Sequence, residues 1–149
     1  MRRFEWLTAY KETCHDLPLP VRTTESSAGY DLASAETLTI PPGRTVLVPT
    51  GIKAYMEPTD VLLLIIRSSL AVKRRLVLAN QVGVIDADYV DNDDNEGHIM
   101  VPLLNLSEAP AEITRGQRIA QAIFVQYTLI DGDEPRGRRV GGFGSTDAL

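Results

Sequence analysis

The chain has one cysteine and two histidines in 149 residues, and aromatic residues make up only 6% of it. A lone Cys14 excludes an intrachain disulfide and a cysteine-built zinc site. His15 and His98 lack the spacing of a metal-binding pair. Positive charge is not in excess: 15 Lys and Arg face 20 Asp and Glu, a net charge of −5. That balance argues against a protein that coats nucleic acid, which needs a basic face. A local basic cluster inside such a chain can still hold a phosphorylated small molecule. Long apolar runs are missing too. The longest, Val61 to Ile66, is far short of the roughly 20 residues of a membrane-spanning helix. The amino end, Met1-Arg2-Arg3-Phe4-Glu5-Trp6, carries no apolar run of signal-peptide length. The expectation is a cytoplasmic protein with no membrane partner.

What is present is 44% hydrophobic and 23% charged, the composition of a globular core. The apolar segments are short and separated by turn residues: Leu38–Ile40, Thr45–Val48, Val61–Ile66, Leu76–Leu78, Val82–Ile85, Ile99–Leu106 and Ile119–Ile130. No stretch keeps a helical period. Ser68–Arg75, with serines placed to cap one or two turns, is the best helical candidate. The expected fold is therefore all-β, a jelly-roll-like or distorted barrel of many short strands with at most a short helix. Residues 1–130 form one core domain. Residues 131–149 read as a charged hinge and a mobile carboxy-terminal arm of the same domain. Ile119–Ile130 has more apolar surface than a half-buried edge strand needs, which suits either a central strand or burial against a neighbouring subunit.

The arm itself is chemically unusual. Arg138-Arg139-Val140-Gly141-Gly142-Phe143-Gly144-Ser145-Thr146 combines cations, glycines, one aromatic ring and two hydroxyls. Glycine is a poor core residue because it loses the most conformational freedom on ordering. Such a segment suits a ligand instead: backbone N–H groups and hydroxyls for phosphates, Phe143 to stack on a planar ring, arginines for anionic oxygens. The bland alternative is a frayed tail.

Four further blocks precede it in order: Ser27-Ala28-Gly29-Tyr30-Asp31-Leu32, Arg67-Ser68-Ser69-Leu70-Ala71, Gly83-Val84-Ile85-Asp86-Ala87-Asp88-Tyr89 and Arg115-Gly116-Gln117-Arg118-Ile119-Ala120-Gln121. With the terminal Gly-Phe-Gly-Ser-Thr they resemble the five motifs of the trimeric dUTPase family, phage or bacterial type, over residues 27 to 146. The resemblance implies hydrolysis of dUTP to dUMP and pyrophosphate, Mg²⁺ on the triphosphate, and a homotrimer with shared active sites. It makes Asp86 the general base that activates the attacking water. Tyr89 lies beneath the deoxyribose with no room for a 2′-hydroxyl. Asn80, Gly83 and Ile85 belong to the hairpin that reads uracil, where an amide offers the matching donor and acceptor. Arg67, Ser68, Ser69 and Gln121 cradle phosphates. Phe143 covers the base, Gly144, Ser145 and Thr146 complete the arm, and Arg138 or Arg139 reaches the γ-phosphate. The sequence departs from the common Arg-Ser-Gly form at Ser69.

Three acidic features need separate readings. Asp31 touches Mg²⁺ through water or pairs with an arginine such as Arg67. Asp88 is structural, since a continuing strand would turn it to the face opposite Asp86. The acidic run at residues 91–96 is a solvated hairpin tip or a surface for a regulatory protein partner; its spacing fails the calcium-loop pattern. The rival activity is that of a dCTP deaminase, a relative whose chemistry needs a carboxylate on the strand after the Ile-Asp motif. Ile99–Leu104 supplies none.

Overall fold

A computed structural model describes residues 1–135, 137, 139, 141 and 142. Its strands are β1 (Arg3–Trp6), β2 (Tyr30–Ala33), β3 (Leu38–Ile40), β4 (Thr45–Pro49), β5 (Ile52–Tyr55), β6 (Asp60–Ile66), β7 (Leu76–Leu78), β8 (Gly83–Asp86), β9 (Met100–Asn105), β10 (Ala111–Ile113) and β11 (Arg118–Gln126). The one α-helix, α1, is Ser68–Arg74. The strands pair antiparallel throughout, as a four-stranded sheet β2-β11-β6-β8, a three-stranded sheet β4-β9-β7, and the pairs β1-β5 and β10-β3. The all-β, jelly-roll-like expectation is met, and among the described residues no sheet closes into a barrel.

The core lies between the sheets. Leu32, Leu62, Leu64, Ile119, Ala120 and Ala122 from the four-stranded sheet meet Val48, Val101, Leu103 and Leu76 from the three-stranded one, all essentially without solvent access. Burying one such leucine or isoleucine stabilises the fold by roughly 1.5–3 kcal/mol. Phe4 of β1 packs on Tyr30 and Phe124 at ring-centroid distances of 5.6 and 5.5 Å, which docks the β1-β5 pair on the larger sheet. Asp60 is buried at the start of β6 and is matched by a bidentate Arg2 at 2.6 and 2.7 Å.

Two local expectations are corrected. The serines do not cap α1: Arg67 occupies the N-cap position without a side-chain cap, and the helix stops where Arg75 turns left-handed and its N–H bonds the Leu70 carbonyl. The strand expected to reach Ile130 ends at Gln126. β11 is central, between β2 and β6, but Leu129 and Ile130 beyond it are 66% and 80% exposed. Among the described residues nothing covers them.

His98 shows how the loop before β9 is fixed. Its ring Nε2 accepts the Gly51 N–H at 3.0 Å, and its ring lies 5.3 Å from that of Tyr10. Burial pulls its pKa from 6.5 down to about 4. The unfolded chain therefore binds this proton near pH 6.5 and the folded chain does not until about pH 4. Its stabilising contribution is complete above pH 6.5 and is lost as pH falls through that window. The thermal midpoint of the natural chain should drop between pH 7 and pH 5. His98→Gln, which keeps an acceptor for Gly51, should show a flatter profile; equal slopes would contradict this account.

Candidate active site

The outer face of the four-stranded sheet carries the candidate residues, and the period of two decides which ones reach it. In β8, Gly83 and Ile85 face the core, whereas Val84 and Asp86 face outward. The Ile85 side chain therefore packs in the core, and its backbone is the part that this hairpin can offer outward. Gly83 is required by close approach, because a Cβ there would stand 2.9 Å from Leu64 Cβ on β6. Cross-strand register puts Asp86 opposite Val61 at the beginning of β6. At the other end, Gln121 stands opposite both Ile65 and Asp31.

That second end is a polar cradle. A cavity of about 310 Å³ is lined by Asp31, Arg67, Ser68, Ser69 and Gln121, with Gly29 at its floor. A Cβ at Gly29 would lie 2.4 Å from Gln121 Oε1, so a side chain there would displace the Gln121 amide from the cradle. Asp31 takes the pairing role: its carboxylate meets Arg67 Nε at 3.3 Å and Arg118 Nη1 at 3.0 Å, and accepts the Thr23 hydroxyl at 2.8 Å. Arg118 and Thr23 were not singled out as site residues; Arg118 comes beside Asp31 only once β2 and β11 are paired, and Thr23 only through the loop that precedes β2. Arg115 in the same block serves elsewhere, clamping Asp16 at 2.6 and 2.9 Å. That guanidinium holds the Asp16 carboxyl down at about 2.

At the β8 end, a cavity of about 430 Å³ is bordered by Met56, Asp86, Asp88, Tyr127 and Arg139. Asp86 and Asp88 do not face opposite ways. The strand stops at Asp86, Ala87–Tyr89 forms a single 3-10 turn, and the alternation of a continuing strand no longer applies. Both carboxylates consequently grip one guanidinium: Arg139 Nη2 to Asp86 at 2.5 Å and Arg139 Nε to Asp88 at 2.8 Å. The guanidinium also lies 5.8 Å from the centre of the Tyr89 ring. Tyr89 is buried, and burial raises the pKa of its phenol, which stays protonated at neutral pH. Asn80 is exposed in the turn between β7 and β8 and does not border this cavity. Arg138, Phe143, Gly144, Ser145 and Thr146 lie outside the described residues.

The acidic run is not a free tip. Lys53 on β5 receives Asp91 at 2.5 Å and Glu96 at 2.9 Å, and the Tyr55 hydroxyl donates to Asp91 at 2.7 Å. Burial lowers the pKa of Lys53, but these carboxylates outweigh it and hold the ammonium above the usual lysine range. Asp94 accepts the Gly142 N–H at 2.8 Å, so the loop touches the arm as well. Between the two ends of the sheet, Leu63, Ile65, Val84 and Ile123 present side chains outward, an apolar strip on the same face.

Comparison with known proteins agrees with the motifs. The sequence profile of the dUTPase family matches residues 15–147. The chain is 46% identical over 150 residues to the deoxyuridine 5′-triphosphate nucleotidohydrolase of Lactococcus lactis subsp. lactis (strain IL1403), covering 99% of each. It is 43% identical over 135 residues to that of Shewanella denitrificans, covering 85% of each. The crystal structure of the dUTPase from Streptococcus mutans superposes with a TM-score of 0.80 at 46% identity, covering 87% of this chain and 98% of that one. A dUTPase from phage phi11 of S. aureus, at 20% identity and a TM-score of 0.74, shares the fold. The chain belongs to the dUTPase family.

Proposed function

We propose that the chain hydrolyses dUTP to dUMP and pyrophosphate, with Asp86 as general base, in a homotrimer whose active sites are shared between subunits. The observation that carries the shared site is the separation along β6. Asp86 is level with Val61, while Arg67 lies six residues farther on, about 20 Å of extended strand. The surface between them is apolar and offers no bed for a triphosphate. It is well suited to a neighbouring subunit, as are the exposed Val84, Leu129 and Ile130. Cradle and base then meet across an interface, each from a different chain.

In this reading Arg67, Ser68, Ser69 and the Gln121 amide hold the triphosphate. The carboxylate of Asp86 takes the proton from a water as its oxygen bonds to the α-phosphorus, and the bond to the bridging oxygen breaks to release pyrophosphate. Arg139 holds Asp86, Asp88 and the Tyr89 ring, and exchanges those partners for phosphate oxygens when the nucleotide enters. Arg138, Phe143, Gly144, Ser145 and Thr146 complete the arm over the base and γ-phosphate. Tyr89 supports the deoxyribose, and the Asn80–Ile85 hairpin reads uracil.

Mg²⁺ fits this donor set as an ion carried by the substrate. Among the described residues no three His, Cys, Asp or Glu side chains converge on one point. Magnesium often takes most of its ligands from phosphates and water. Asp31, the carboxylate of the cradle, would hold it through water, and the ion would supply charge neutralisation on the triphosphate. A structural Mg(II) ion is named for the phage phi11 enzyme.

Among dUTP, UTP, dCTP and dTTP with Mg²⁺, dUTP should be the preferred substrate, giving dUMP and pyrophosphate. Ammonia from dCTP would overturn the assignment, and β9 indeed carries no carboxylate for deamination. Tyr89→Ala should lower the preference for dUTP over UTP by about 10- to 100-fold, the worth of rejecting one added hydroxyl by shape. Equal turnover of UTP by the natural chain would exclude Tyr89 as the sugar gauge.

A further inference from the structure

The loop of residues 91–97 makes an ordered, one-directional hydrogen-bond chain that ends on Tyr89. Asn92 Nδ2 donates to the Tyr89 carbonyl at 2.7 Å and to Asn95 Oδ1 at 2.8 Å. Asn92 Oδ1 accepts the N–H groups of Asp94 and Asn95, both at 3.1 Å. Asn95 Oδ1 also accepts the Gly97 N–H at 3.1 Å. With its oxygen committed to two donors, the Asn95 amide can turn only its NH₂ towards the phenol, and Nδ2 meets Tyr89 Oη at 2.8 Å. The phenol proton then points the other way, to the His98 carbonyl at 2.9 Å. Lys53 clamps both ends of the loop through Asp91 and Glu96, so the brace is anchored to β5 and not merely to solvent.

We propose that Asn95 is a positioning residue for sugar selection: it fixes the height and tilt of the Tyr89 ring, and thereby sets how strongly dUTP is preferred over UTP. The inference rests on Tyr89 being the surface beneath the sugar. Rejection of a 2′-hydroxyl by shape demands that the ring not yield, and the phenol is the atom farthest from the backbone and most in need of support. Two opposed hydrogen bonds on that oxygen supply it.

The measurement is the ratio of kcat/KM for dUTP to that for UTP. This ratio is independent of the fraction of folded enzyme, so a merely structural loss does not move it. Asn95→Ala should lower it several-fold to about tenfold, the effect of removing one buried hydrogen bond. Asn95→Leu, close in volume but with no donor or acceptor for the phenol, should lower the ratio similarly if the alanine variant folds poorly. Tyr89→Phe should do the same, and Asn95→Ala placed on Tyr89→Phe should cost nothing more, because both act through one oxygen. An unchanged ratio in both Asn95 variants, with Tyr89→Ala still relaxing it, would refute the brace and leave the sugar surface intact. Additive losses in the double variant would also refute it. A ratio unaffected by Tyr89→Ala would remove the sugar surface itself, and the brace with it.

Discussion

Replacing Asp86 by asparagine should lower dUTP turnover by about 10²–10⁴-fold, the usual worth of a positioned general base. The substitution is nearly isosteric and removes only the capacity to take a proton. Asp86 ends β8 on the outward face, over half of its side chain open to solvent, in the cavity shared with Arg139. Nothing in the core depends on it. Affinity for a non-hydrolysable dUTP analogue should therefore stay within a few-fold of the natural value, and the loss should fall on kcat. Asp88→Asn is the informative companion. Both carboxylates bind the same guanidinium, so removing either charge loosens Arg139, but only Asp86 is assigned the proton. A modest loss for Asp88→Asn beside a large one for Asp86→Asn supports the assignment. Equal losses would mean that the pair acts as one unit through Arg139, and a retained rate in Asp86→Asn would sink the base altogether.

The sequence disclosed those parts of the fold whose signal is local. β6 is a continuous apolar run with clear stops, α1 is bounded by a strand and a left-handed residue, and β7 and β8 are short apolar runs between turns. β1 and β5 escaped because their charges look solvated in sequence. Glu5 pairs with the nearby Arg3, but Lys53 is neutralised by Asp91 and Glu96, some forty residues away, which no window along the chain can see. Ile119–Ile130 runs past the strand for a different reason: apolar residues that stay exposed beyond a strand end, as Leu129 and Ile130 do, look the same in sequence as those buried within it. At the site, the motifs identified Arg67, Gln121, Asp86 and Tyr89 individually. Their distribution over two ends of one sheet, the pairing of Asp31 with Arg118, and the role of Asn95 depend on register and on a loop crossing, and those are properties of the fold.

Two inactive variants should restore each other if the site is shared. Arg67→Ala removes the planar fork from the cradle and should cost about 10²-fold or more in kcat/KM, as loss of a phosphate clamp does. Asp86→Asn removes the base from the opposite end of β6. A homotrimer built by head-to-tail contacts places the cradle of each subunit against the β8 end of the next. In a one-to-one mixture assembled together, a site is intact when its cradle comes from an Asp86→Asn chain and its base from an Arg67→Ala chain. With random assembly about one site in four meets that condition, so activity should recover to about a quarter of the natural level. Differently tagged chains, purified through both tags in sequence, remove the pure trimers before the rate is read and raise the expected recovery to about one site in three, because every mixed trimer then holds one intact site. A pair drawn from one cluster, Arg67→Ala with Ser68→Ala, provides the control: every cradle in the mixture then carries a lesion, and no site of natural activity can form. Recovery in the first mixture and none in the second requires Asp86 and Arg67 to meet across a subunit boundary. If tag-verified mixed trimers of the first pair stay as inactive as their parents, each chain must build its own site, and the separation along β6 would have to be closed by rearrangement within one subunit.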